Sequence, residues 1–106
     1  MLDILEAIEN IERYSQGGRE AFDRDELIRV WFLRHLEIIG EAASRLSAQT
    51  RASAGSVPWR NIVGMRNILI HHYFAVDWNE VWNVIHREIP PLKNAMEKLL
   101  ASLQET

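Results

Sequence analysis

Apolar positions recur at helical spacing along almost the whole chain, and they predict a bundle rather than a sheet. Ile4, Leu5, Ile8 and Ile11 form one stripe, which predicts a first helix over about Leu2–Ser15. Gln16-Gly17-Gly18 supplies the stop. Asp23 reads as the N-cap of a second helix, with Glu26 three residues on as its capping-box partner. That helix extends from about Arg24 to Ala48 and carries two stripes. One is Leu27, Trp31, Ile38 and Ala42; the other is Ile28, Phe32, Leu36, Ile39, Ala43 and Leu46. Two stripes require burial over more than one face, either against another subunit or against several neighbours within the bundle.

Thr50–Ser56 is small and polar and reads as a linker. Ser56 can cap a third helix that has Pro58 near its first turn and runs to about His72. Asp77, with Glu80 at the third helical position, caps a fourth helix over about Trp78–Glu88. Pro90-Pro91 ends or kinks it. Leu92, Met96, Leu99 and Leu100 mark a last amphipathic helix. The expected architecture is all-α, an antiparallel bundle of four to five helices with short connections. At 106 residues, the chain is expected to form a single domain, 1–106, with enough core to fold unaided.

Composition narrows the chemistry. With no cysteine, disulfides, thiolate zinc sites and a cysteine nucleophile are excluded, and a reducing cytoplasm suits the chain. No signal peptide and no membrane-spanning stretch is apparent. Net charge is −3, which argues against general nucleic-acid binding over the surface. The charge is uneven, however. No acidic residue occurs from Ala42 to Val76, a window with four arginines and a local charge of +4, against −7 for the remainder. Such a chain can still aim a phosphate at one place.

The third helix concentrates the candidate chemistry. Met65–Phe74 contains Arg66, His71 and Tyr73 in the spacing R-x-x-x-x-H-x-Y. Arginine is a permanent cation shaped for phosphate, and histidine is an acid or base near neutral pH. Trp59, Ile62, Val63, Arg66, Ile70 and Tyr73 share one helical face, an apolar stripe with a guanidinium in it. Arg60, Gly64, Asn67 and His71 share a polar face, and Gly64 suggests a close approach there. Arg66 and His71 lie about 140° apart on an ideal helix, so their convergence needs a bend or a second copy across a two-fold interface.

Each residue also has a plainer reading. Arg66 alone reads as the partner of a second-helix carboxylate, Glu37 or Glu41. His71 alone reads as a satisfied interior or surface histidine, and Tyr73 as a core-edge residue. Trp31, Trp59, Trp78 and Trp82 follow helix faces and read as core or interface rather than as a base-stacking platform. Ser44, Ser47 and Ser56 lack a nucleophile signature, and no Gly-rich loop follows a strand. His35, His71, His72 and His86 form no HExxH or ExxH pair, so neither a metal nor another cofactor is expected.

Three blocks carry a resemblance over nearly the whole chain: Arg34-His-Leu-Glu-Ile-Ile-Gly-Glu-Ala-Ala43, Val57-Pro-Trp-Arg-Asn-Ile-Val-Gly-Met-Arg-Asn67, and His71-His-Tyr-Phe-Ala-Val-Asp77 with Trp82. In this order and spacing the chain resembles the HEPN superfamily and, within it, the HepT-like toxins of toxin–antitoxin pairs. The resemblance implies a homodimeric helical bundle in which two R-x-x-x-x-H motifs meet in an interface cleft. It implies a metal-independent ribonuclease acting on RNA, with Arg66 and His71 in the active-site positions and Asn67 matching the polar residue after the arginine. It also implies an MntA-like minimal nucleotidyltransferase antitoxin that transfers AMP to the motif tyrosine, here Tyr73. Some HEPN proteins bind nucleotides or partners without cleaving RNA, so a regulatory subunit of a nucleotidyltransferase is the alternative.

Overall fold

The computed structural model describes residues 1–66 and 76–104. Among them are seven helices and no strand. Four are long: α1 (Leu2–Ser15), α3 (Glu26–Ser44), α6 (Trp78–Arg87) and α7 (Ile89–Gln104). Three are short: α2 (Gly18–Arg24), α4 (Ala48–Ala52) and α5 (Trp59–Gly64). The all-α bundle expected from periodicity is therefore present; α2 and α4 lie in or beside the expected connections, and α5 is the described part of the expected third helix.

α1 buries Ile4, Ala7, Ile8 and Ile11, one stripe at helical spacing. The glycine pair ends it, but the chain turns at once into α2 instead of an open connection. Gly18 sits at φ +74°, a left-handed conformation that glycine adopts without steric cost. α2 buries only Phe22, which stacks on Phe32 (5.6 Å between centroids) and meets Trp82 (5.1 Å). Its C-terminal carbonyls at Phe22 and Asp23 accept hydrogen bonds from the Arg29 guanidinium (3.0 and 2.6 Å).

The N-cap of α3 is Asp25, not Asp23. Asp25 is extended and its carboxylate accepts from the Leu27 N–H (2.9 Å), whereas Asp23 lies within α2 and pairs with Arg19 (2.8 Å). Glu26 is then the first helical residue and not a capping-box partner. α3 also ends earlier than expected, at Ser44. Ser47 takes an extended conformation and its hydroxyl accepts from the Thr50 N–H (3.0 Å), capping α4 across the junction between the expected second helix and the expected linker.

α3 is the central helix. It packs against α1, α2, α5 and α6. Its Phe32, Leu36, Ile39 and Ala43 are buried. The other stripe is graded: Ala42 is buried, Trp31 and Ile38 are half-buried, and Leu27 is 79% exposed. α1 and α3 run antiparallel. Trp31 near the start of α3 donates its indole N–H to the Asn10 carbonyl (3.0 Å) and meets Tyr14 edge-on (5.3 Å) near the end of α1. At the other end, Asp3 shares a cleft with Glu41 and Arg45. Trp31→Glu is expected to lower the unfolding free energy by about 2–4 kcal/mol, since it removes an aromatic anchor and half-buries a charge. A urea titration measures this.

Ser56 does not cap α5. Pro58 occupies the N-cap position without a side-chain bond, and the start of the helix is tied down by Trp59 instead. The Trp59 indole N–H lies within bonding distance of the Arg51 (2.9 Å) and Ala54 (3.1 Å) carbonyls. Ile62 and Met65 insert into the core. The expected continuation of this helix to His72 lies outside the described residues beyond Arg66.

α6 begins as expected, with the Asp77 carboxylate accepting from the Glu80 N–H (3.2 Å). Pro90 and Pro91 stand in the first turn of α7, where a missing N–H costs nothing. Leu92 and Met96 bury its apolar face. Lys93 joins α7 to α1 through Glu12 (2.9 Å), whose hydrogen bond and charge hold the ammonium above the usual lysine range. No helix among the described residues is long and apolar enough to cross a membrane.

Candidate active site

Arg66 stands just past the end of α5. The Met65 and Arg66 N–H groups bond the Ile62 and Val63 carbonyls (3.2 and 3.3 Å), so the chain leaves α5 in a tightened last turn. Buried Ile62 and Met65 hold that turn against the core, and Arg66 is the first side chain beyond it to face water.

The turn can reach α3 because of Gly40. A Cβ built there would stand 2.6 Å from the Arg66 backbone nitrogen, 3.0 Å from the Ile62 carbonyl oxygen and 3.2 Å from the Arg66 Cβ. Among the described residues, a close backbone approach is found at Gly40 rather than at Gly64. Gly64 itself is exposed, with no described atom within 4 Å of a Cβ built on it.

The Arg66 side chain lines an open cleft of about 350 Å³ with Asp3, Arg34, Glu37, Glu41 and Arg45. Glu41 is its partner: Nη1 lies 3.8 Å from Oε2, and the two side chains are 40% and 48% exposed. The other Glu41 oxygen faces Arg45 (3.4 Å), while Arg34 takes Glu37 (3.3 Å). The second-helix carboxylate foreseen as an alternative partner of Arg66 is thus found. The contact is loose, and an exposed pair of this kind contributes at most about 1 kcal/mol. An incoming phosphate, with more acceptors and more charge, can replace the carboxylate at the guanidinium.

The cleft is not the uniformly basic zone that the sequence window suggests. Its three arginines face three carboxylates. Residues 42–76 lack acids, but α1 and α3 bring Asp3, Glu37 and Glu41 to Arg66 in space.

Of the other site residues named from the sequence, Arg60 is exposed on α5, and neither it nor Gly64 lines the cleft. Asn67, His71 and Tyr73 lie outside the described residues. Arg34 and Arg45 also line the cleft, and Gly40 lies against Arg66, although none of the three stands in the R-x-x-x-x-H-x-Y motif. Gly40 carried a usable signal, since a glycine beside the buried Leu36–Ile39–Ala43 stripe costs about 1 kcal/mol of helix propensity unless something approaches it.

Two described histidines have structural partners. His35 and His86 each bond through Nδ1 to the carbonyl of the tryptophan four residues earlier (2.8 and 3.0 Å) and pack on its ring at 4.4 and 4.2 Å. The four tryptophans are half-buried against the core, as their spacing implies, and do not form a row of exposed rings.

Comparison with known proteins places the chain in a family. The family model described as Ribonuclease HepT-like matches residues 4–99. A protein of Caldanaerobacter subterraneus subsp. tengcongensis, provisionally named an RNase, is 41% identical over 85% of this chain and 80% of its own length. One from Thermococcus cleftensis, provisionally named ribonuclease HepT, is 40% identical over 92% of this chain and 89% of its own. A third, from Methanocaldococcus jannaschii and provisionally named an RNase, is 35% identical over 92% and 90%. No solved structure matches the chain significantly. The family match covers nearly all of the helical bundle, including α3, α5 and Arg66, and the chain belongs to the HepT-like ribonuclease family.

Proposed function

We propose that this chain is a metal-independent endoribonuclease, the toxin of a toxin–antitoxin pair, acting in the cytoplasm as a homodimer of one-domain subunits. The observation that carries the reading is Arg66. In a chain of the HepT-like family, it presents a half-exposed guanidinium in an open cleft, paired among the described residues with a displaceable carboxylate.

In the proposed reaction, His71 takes the proton from a ribose 2′-OH, and that oxygen attacks the adjacent phosphorus. Arg66 stabilises the charge that develops on the phosphorane oxygens. His71 of the partner subunit protonates the departing 5′-oxygen, so one proton is removed and one returned. The products are a 2′,3′-cyclic phosphate and a 5′-hydroxyl. The internal nucleophile accounts for RNA as substrate in preference to DNA. Asn67, Arg60 and Gly64 are assigned supporting roles. Tyr73 is the residue that an MntA-like nucleotidyltransferase antitoxin would adenylylate.

The dimer is the reading in which Arg66 and His71, five residues apart in the sequence, converge through a second copy rather than through a bend of one chain. Sedimentation at micromolar concentration should give twice the mass of the 12.3 kDa chain, and a monomer contradicts the assembly. Incubation of RNA with the purified protein in EDTA tests the activity. Cleavage is expected at the rate seen without chelator. Cleavage abolished by EDTA and restored by a divalent ion would exclude the mechanism, and no cleavage under either condition favours a nucleotide-binding or regulatory role.

A further inference from the structure

Two adjacent residues on α3 set where Arg66 stands. The first acts on its backbone. Gly40 lies against the last turn of α5, and the distance from a Cβ built there to the Arg66 nitrogen is 2.6 Å, below the 3.4 Å at which ordinary contact begins. The obstructing atoms are the Arg66 nitrogen and the Ile62 carbonyl oxygen, which are backbone and cannot rotate aside. Any side chain at position 40 therefore requires α3 and the Arg66 backbone to shift relative to one another. The second residue acts on the side chain. Glu41 offers one oxygen to Arg66 and the other to Arg45, so its carboxylate is itself held while it faces the guanidinium.

We propose that Gly40 and Glu41 are a positioning pair for Arg66 in the ribonuclease reaction. The assignment rests on the reading of Arg66 given under Proposed function. Gly40 fixes the root of the side chain, and Glu41 holds its head until a phosphate takes the carboxylate's place. Neither residue touches the reacting atoms.

The kinetic signatures differ from those of a structural role. A 1 Å misplacement of a catalytic group can cost about 10²-fold, so folded Gly40→Ala is expected to lose about that much kcat while KM changes little. Glu41→Gln removes both the support and the competitor. kcat and KM should each fall, by up to about fivefold, because an exposed ion pair supplies no more than that. Ile85→Val is the stability control: it trims a core side chain on the α1–α6–α7 seam and should lower the melting temperature while leaving kcat unchanged. If Gly40→Ala does not fold, Glu41→Gln decides, since Glu41 is half-exposed and its replacement leaves the close approach intact. Wild-type kcat in either folded variant overturns the pair.

Nitrogen-15 relaxation at the Arg66 side-chain Nε–H separates this failure from failure of the ribonuclease reading. The wild-type group should be more ordered than that of the exposed Arg13, and Glu41→Gln should narrow the difference. If the wild type does not cleave RNA but this pattern holds, the ribonuclease reading falls and the positioning stands. If Arg66 is as mobile as Arg13 in the wild type, or unchanged in Glu41→Gln, the positioning falls whatever the activity.

Discussion

Arg66→Ala is expected to lower the rate of RNA cleavage by about 10²–10³-fold, the cost of removing a principal donor to a developing oxyanion. His71→Ala is expected to cost about 10²–10⁴-fold, the usual range for a positioned acid–base group. The structure gives a reason to read the first loss as chemical. The Arg66 side chain is 40% exposed and its ion pair with Glu41 is long, so truncation sacrifices little packing and at most about 1 kcal/mol of stability. The melting curve should be almost unchanged. Arg24→Ala, which removes the same charge from a side chain 75% exposed on α2, should cleave RNA normally. Single-turnover assays on the three variants check these outcomes. Cleavage at the wild-type rate by either pure motif variant would exclude the proposed mechanism.

The second large effect concerns silencing. Tyr73→Phe is expected to leave folding and cleavage intact but to make the protein resistant to a nucleotidyltransferase antitoxin with ATP. Tyr73 is two residues after His71 and seven after Arg66 in the sequence. An adenylyl group esterified to its phenol would bring negative charge and bulk close to the guanidinium, where it would compete with an RNA phosphate. The phenylalanine variant lacks the oxygen that forms this ester. Its survival in the assay should be complete, because the modification has no site rather than a weaker one. Mass spectrometry of the treated wild type should place an AMP adduct on Tyr73. An adduct elsewhere, or silencing of Tyr73→Phe by the same route, would show the assignment to be wrong.

How much of the fold could be read from the sequence depends on element length. α1 and α6 each carry a periodic apolar face, and α6 a capping aspartate, so their bounds are found to within a residue or two. α2 and α4 are seven and five residues long. One buries a single side chain, Phe22, and the other buries none, so neither can display a period. They exist because the bundle holds them: α2 through Phe22 in its aromatic nest and Arg29 on its C-terminal carbonyls, α4 through Ser47 and the Trp59 indole. The choice between Asp23 and Asp25 as cap turned on that same unseen helix.

The site divides along similar lines. The pairing of Arg66 with a carboxylate from the second long helix was legible, because helical faces predict which side chains meet. The surroundings of Arg66 were not. Asp3 and Glu41 are far from it in sequence, and an acid-free stretch of chain says nothing of acids delivered by other helices. A glycine's purpose depends on what packs against it. Gly64 and Gly40 look alike in sequence, yet only Gly40 has a neighbouring backbone within 4 Å among the described residues.

The chemistry of the cut ends is the most direct test of the account. After RNA is incubated with the wild-type protein in EDTA, mass spectrometry of the purified fragments reads the terminal groups. Attack by the ribose 2′-oxygen, with Arg66 on the phosphorane and His71 moving the protons, predicts 2′,3′-cyclic phosphate on one fragment and 5′-hydroxyl on the other. A 3′-hydroxyl with a 5′-phosphate would mean that water or another nucleophile attacks, and would contradict the mechanism.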